Sequence, residues 1–162
     1  MNETGFWKII DTAWQTSDET RSYQQQILSS LESGEAKEAV ESTYGEFPDE
    51  VVDSIRRQLE ELSAEDLLAF DRILERKHYD IDREEIHEYT DGSDDGFLYC
   101  RGFIVAMGQT FYDAVNADPS KALCDFECEV ICYISAHLYE DKFGELPQSD
   151  ICRETGSNDE GW

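Results

Sequence analysis

Apolar residues recur every three to four positions along most of this chain, and only Pro48, Pro119 and Pro147 interrupt them. The clearest run is Val51, Val52, Ile55, Leu59 and Leu62, with Asp53, Arg56, Arg57, Glu60 and Glu61 on the opposite side. That spacing is the signature of an amphipathic surface helix, since 3.6 residues complete a turn. Alternating strand patterns are nearly absent. The chain is therefore expected to be all-α, a single-domain helical bundle of about six or seven helices.

The helices can be placed in order. Thr4 reads as an N-cap for a first helix in which Phe6, Ile10 and Ala13 share a face, flanked by Trp7 and Trp14. The tryptophans suit either a core or an aromatic ligand platform, and their helical spacing favours the core. A polar amphipathic helix is predicted over 18–31, and a short one from Glu35 to Tyr44. Gly45 to Pro48 forms a break. Ser63 to Asp66 resembles a capping box that opens a helix carrying Leu67, Phe70 and Leu74. A further helix should start near Asp94 and run to about Gly108, continuing or restarting through Val115. The last long helix is expected from Pro119 to Lys142, stopped by Gly144. Leu123, Phe126, Val130, Ile131, Ile134 and Leu138 leave it few wet faces, which makes it the central one. Residues 1–146 form the domain, with 18–50 as a candidate insertion and 147–162 as a polar tail.

Charge excludes several functions. The chain of 162 residues holds 38 acidic against 13 basic side chains, a net charge of −25. Nucleic-acid binding through a basic face is ruled out, because attraction to phosphate supplies most of the sequence-independent affinity. Docking on an anionic membrane is disfavoured for the same reason, and no apolar run reaches membrane-spanning length. The five cysteines are odd in number and no export signal accompanies them, so a reducing cytoplasm is expected. Cys124, Cys128 and Cys132 would line one helical face. They suit a thiolate metal site or redox sensor, or plain core packing. Packing is favoured, because no second Cys or His pair stands at zinc-ligand spacing.

The most acidic stretch is 80–95. Asp80, Asp82, Glu84, Glu85, Glu88, Asp91, Asp94 and Asp95 face Arg83 alone. Asp91 to Gly96 matches the first half of a calcium-binding EF-hand loop, but position twelve is Gly102 where a bidentate Glu is needed. No metal or other cofactor is therefore assigned. Ser93 or Asp94 instead reads as a helix cap, with Asp95 at the positive end of the helix. Arg101, two turns beyond Asp94, shares a face with Leu98 and Val105. It is read as a buried ion-pair partner of Asp94, Asp95 or an acid from another helix, with an anion clamp as the functional alternative. His137 is read as a core histidine. No nucleophile–base arrangement, phosphate loop or dinucleotide fingerprint occurs.

Phe6 to Ile10, Leu62 to Phe70 and the run Ser93 to Phe103, followed by Gly108, Tyr112 and Asp118-Pro119, resemble the bacterial domain-of-unknown-function family numbered 4240. The resemblance implies a helical fold and leaves activity open. Three departures stand out: the 18–50 segment, Cys100 and Phe103 where Phe and Trp are commoner, and the charged run 82–88 where relatives tend to be apolar.

Two functions compete. The first is an acidic binding protein that neutralises a basic protein partner, an immunity protein against a bacterial toxin being the leading form. Asp80, Asp82, Glu84, Glu85, Glu88 and Asp91 are its contact surface. The second is a small enzyme or a ligand- or metal-binding domain built on Ser93, Asp94, Asp95 and Arg101, with Glu129 and His137. It requires a pocket where these groups converge.

Overall fold

A computed structural model describes residues 1–33 and 47–162. The expected helix over 35–44 lies outside the described residues. Eight α-helices and no strand occur among them: α1 Glu3–Ala13, α2 Asp18–Ser33, α3 Asp49–Glu60, α4 Ala64–Asp80, α5 Glu84–His87, α6 Asp94–Ala106, α7 Gln109–Ala117 and α8 Glu129–Phe143. A single 3₁₀ turn, Pro119–Lys121, follows α7. The fold is thus all-α, as the periodicity requires.

Local chemistry explains most boundaries. The side chain of Asn2, not Thr4, caps α1 by accepting from the Gly5 amide at 2.9 Å. Thr4 already lies in the first turn. Ser63 accepts from the Asp66 amide and Ser93 from the Gly96 amide, so both predicted caps open their helices. Helix α6 does not run on to Val115. It stops at Gly108, whose φ of +96° a residue with a side chain rarely adopts, and α7 starts afresh.

The greatest departure concerns the last helix. Asp118 caps only the 3₁₀ turn, residues 122–128 form a loop, and α8 begins at Glu129. Asp125 sits in that loop with φ +59°. Cys124 is therefore not helical, and the three cysteines do not form one helical stripe. The four-residue spacing that suggested a helix continues across a loop whose apolar side chains, Leu123 and Phe126, face the core.

Helices α4, α6 and α8 pack on one another, with α1 and α3 completing the layer around them. The core holds Phe6, Trp7, Ile10, Trp14, Ile55 and Phe70 from the first half, and Phe97, Phe103, Phe111 and Ile131 from the second. Trp7 and Trp14 are therefore core residues, and the Trp14 indole donates to the Ala106 carbonyl at 2.8 Å. Helix α6 is the most enclosed element: every residue from Gly96 to Ala106 except Tyr99 is buried. Its approach to α8 depends on Gly102. A Cβ there would come within 2.5 Å of the Cys128 carbonyl and 2.8 Å of the Cys132 sulfur.

The C-terminal segment is more than a polar tail. From Ser149 onward it has no helix, yet it returns across α4, α5 and α6, and Arg153 and Asn158 are buried. Its hydrogen bonds to the helices reach back 21 to 82 residues.

Candidate functional site

The acidic stretch divides between surface and interior. Glu84 and Glu85 on α5 and Glu88 just after it are exposed, and Asp91 is half-buried in the turn before α6. Asp91 accepts from the Ser93 amide at 2.6 Å and from the Ser93 hydroxyl at 2.5 Å. These two bonds hold its carboxyl below the ordinary aspartate range. Asp80 is half-buried at the end of α4, and its Oδ1 lies 3.8 Å from Arg76. Burial outweighs that cation and raises its carboxyl.

Asp82 does not belong to the surface. It is fully buried. Its two oxygens accept the amides of Gly156 (3.1 Å), Ser157 (2.7 Å) and Asn158 (3.0 Å), and the Trp162 indole N–H (3.1 Å). Arg101 stands 3.8 Å away. Four donors and a cation replace its lost water, which is how a carboxylate can be stable inside a protein. Its acidity was visible in the sequence. Its four hydrogen-bond donors, more than seventy residues away, were not.

Arg101 is likewise fully buried. It donates to the carbonyls of His78 (3.1 Å) and Arg153 (2.9 Å) and to the Thr155 hydroxyl (3.3 Å). Its ion-pair partner is thus an acid from outside its own helix. Asp94 and Asp95 remain exposed in the first turn of α6, where the helix dipole favours them. Ser93 is the cap. These four residues share α6 and its cap, but Ser93, Asp94 and Asp95 are exposed while Arg101 is fully buried. An open cleft of about 470 Å³ elsewhere is lined by α1 and Gln109, with Trp7, Lys8 and Asp11 in its wall, and holds none of them.

A second cluster was missed. Asp71, Glu75 and His78 stand at intervals of four and three along α4, and Asp82 follows four residues later. All four are buried. That spacing draws a polar stripe down one helical face beside the apolar stripe of Leu67, Phe70 and Leu74. The signal was legible, but a charged stripe ordinarily marks a wet face. Arg153 completes the cluster: its Nη2 lies 2.7 Å from Asp71 Oδ1 and 3.5 Å from Glu75 Oε2. Ser135 donates to Asp71 at 2.7 Å. Neither ring nitrogen of His78 has a hydrogen-bond partner. Burial, reinforced by Arg101 and Arg153, holds its pKa well below the usual histidine range. His137, expected in the core, is instead exposed and stacks on Tyr133 at 5.9 Å.

The exposed acids extend beyond the predicted stretch. Burial raises the Glu127 carboxyl, and the charges of Asp91, Asp125 and Glu129 raise it further. The charges of Asp91, from the turn before α6, and of Asp125 and Glu129 thus bear on Glu127, and these four carboxylates share one face. None of them enters an ion pair among the described residues. Among the described residues no group of three or more His, Cys, Asp or Glu side chains is arranged to hold a metal ion. Burial pushes the Cys100 and Cys128 thiols up to about 12, so both are protonated packing groups with no nucleophilic character near neutrality. No disulfide links the five cysteines, and no helix among the described residues is long and apolar enough to cross a membrane.

Fold and site together define a small, strongly acidic, all-helical protein whose exposed face is anionic and whose interior holds an ionic cluster. The chain belongs to the family described as protein of unknown function DUF4240, whose model matches residues 1–141. No curated protein and no solved structure matches it.

Proposed function

We propose that this is a binding protein that captures a basic protein partner through its acidic face, in the manner of an immunity protein that neutralises an antibacterial toxin. The observation that supports this reading is that Glu127, Asp125 and Glu129 are exposed, that the charges of Asp91, Asp125 and Glu129 repel Glu127, and that none of the four enters an ion pair among the described residues. A cationic partner relieves that repulsion on docking, and the field of a −25 chain draws it in quickly. Glu84, Glu85 and Glu88, exposed in and just after α5, add to the acidic surface, whereas Asp80 lies beside Arg76 and Lys77 at the end of α4. Asp82 is withdrawn from that surface. Toxins that act on nucleic acids often carry basic clefts, which fit such a face by charge. The competing enzyme reading needs Asp94, Asp95 and Arg101 to converge, and the exposure of the two acids against the full burial of Arg101 gives it no support.

The test is affinity capture of the tagged protein from its own cells at low salt, with mass spectrometry. The expected result is a stoichiometric basic partner that dissociates as salt rises. Joint reversal of Glu84, Glu85 and Glu88 to Lys should slow association with that partner by about tenfold or more at low salt, because steering spans one to three decades in rate. The helical fold should be unaltered. A partner that binds all these variants equally, or one insensitive to salt, would refute the reading.

A further inference from the structure

Arg153 is 7% exposed and enters a seat built entirely by other parts of the chain. Asp71 and Glu75 of α4 face its Nη2. The Cys132 carbonyl of α8 accepts from its Nη1. The Tyr133 ring lies 5.4 Å from its Cζ. Two carboxylates, a carbonyl acceptor and an aromatic face are elements by which proteins recognise a guanidinium group.

The seat is held in place independently of its occupant. Ser135 orients Asp71 at 2.7 Å, and Arg72 holds the other oxygen of Glu75 at 2.9 Å. Arg101, the other cation of this interior, is already matched to Asp82. Without Arg153, the buried Asp71 would have no ion-pair partner among the described residues, and Glu75 would keep only the half-exposed Arg72 and the Ser149 hydroxyl, a state that demands another cation. The seat lies wholly within residues 71–135, inside the family match that ends at 141, whereas its occupant lies beyond it.

We propose that α4 and α8 form a receptor for an arginine side chain, and that the C-terminal segment fills it in cis, so that an arginine presented by another polypeptide competes with Arg153 for the same seat. The carboxylates of this seat are buried and those of the acidic face are exposed. The proposal therefore stands apart from the acidic-face reading, and each can fail alone. The occupant is an arginine and not a lysine, because the seat offers acceptors to both Nη atoms and a flat ring to the guanidinium plane. An ammonium satisfies only one direction at a time.

The experiment uses the full chain bearing Arg153→Ala, with ethylguanidinium and N-acetylarginine methylamide as probes at millimolar concentration. Ethylammonium at equal ionic strength is the control. Both arginine-like probes should raise the melting temperature of R153A above its value in ethylammonium, since a ligand that binds only the folded state stabilises it. If R153A is unfolded at room temperature, the same probes should restore far-ultraviolet helical signal where ethylammonium does not. The wild-type chain, its seat filled, should respond alike to all three, and adding Asp71→Asn to R153A should abolish the selectivity. Equal response of R153A to ethylammonium, or selectivity that survives Asp71→Asn, would overturn the receptor. A response to ethylguanidinium without one to N-acetylarginine methylamide would overturn its access from another chain.

Discussion

His78 is fully buried near Arg101 and Arg153, and both its ring nitrogens lack partners. Its folded pKa lies well below the unfolded value of 6.5. The unfolded chain therefore takes up a proton at His78 that the folded chain resists. Stability from this residue is complete above pH 6.5 and is lost as pH falls below it, by at most about 1.4 kcal/mol per pH unit. A His78→Gln chain should show a shallower loss between pH 6.5 and 5 than the wild type, measured by urea unfolding at each pH. Equal slopes would show that His78 does not carry this dependence. Arg101 teaches a related point about reading a sequence. Its apolar neighbours Leu98 and Val105 announce burial, and burial requires a counter-charge. Which acid supplies it is a matter of tertiary geometry, and Asp82 does so over the nearer Asp94 and Asp95.

The elements were legible where their determinants are local. Helix α3 shows its apolar stripe in sequence, and Ser63 and Ser93 mark helix starts through bonds three residues long. The reading failed where spacing imitates a helix without being one, as across Cys124 and Cys128; at Gly108, where a continued or a restarted helix both fitted the sequence, the positive φ of the glycine decides for a restart. Helix packing gives a sharp test at Gly102. Substitution by Ala places a methyl group against the Cys128 carbonyl and the Cys132 sulfur, both in the most enclosed part of α6 and α8. The helices must part slightly to admit it. Gly102→Ala should cost about 1–3 kcal/mol of stability in denaturant titration, the usual penalty for overpacking. A neutral result would mean that the α6–α8 contact yields without cost.

At the scale of the whole molecule, charge opposes compactness. With 38 acids against 13 bases, the folded state concentrates negative charge that the unfolded chain spreads out. Raising sodium chloride from low to physiological strength shortens the screening length to about 8 Å, so the melting temperature should rise with salt. A melting temperature that falls over this range would show that attractive pairs outweigh the repulsion. The acidic stretch itself was plain in the sequence, as was its likeness to a helical family. The ionic interior was not. Its members are scattered from Asp71 to Asn158, and they join only when the last segment lies across α4 and α6.

That segment carries an optical label of its own. Trp7 and Trp14 are sealed in the core, whereas Trp162 is 45% exposed. Its ring centroid lies 5.3 Å from that of His87 and 6.1 Å from that of Phe97. Its indole N–H points at Asp82, where any loosening of the segment alters the hydrogen bond first. Two indoles thus report the body of the molecule and one reports its clasp. Emission excited at the red edge, which selects the wettest indole, can follow the opening of the clasp while the body stays folded.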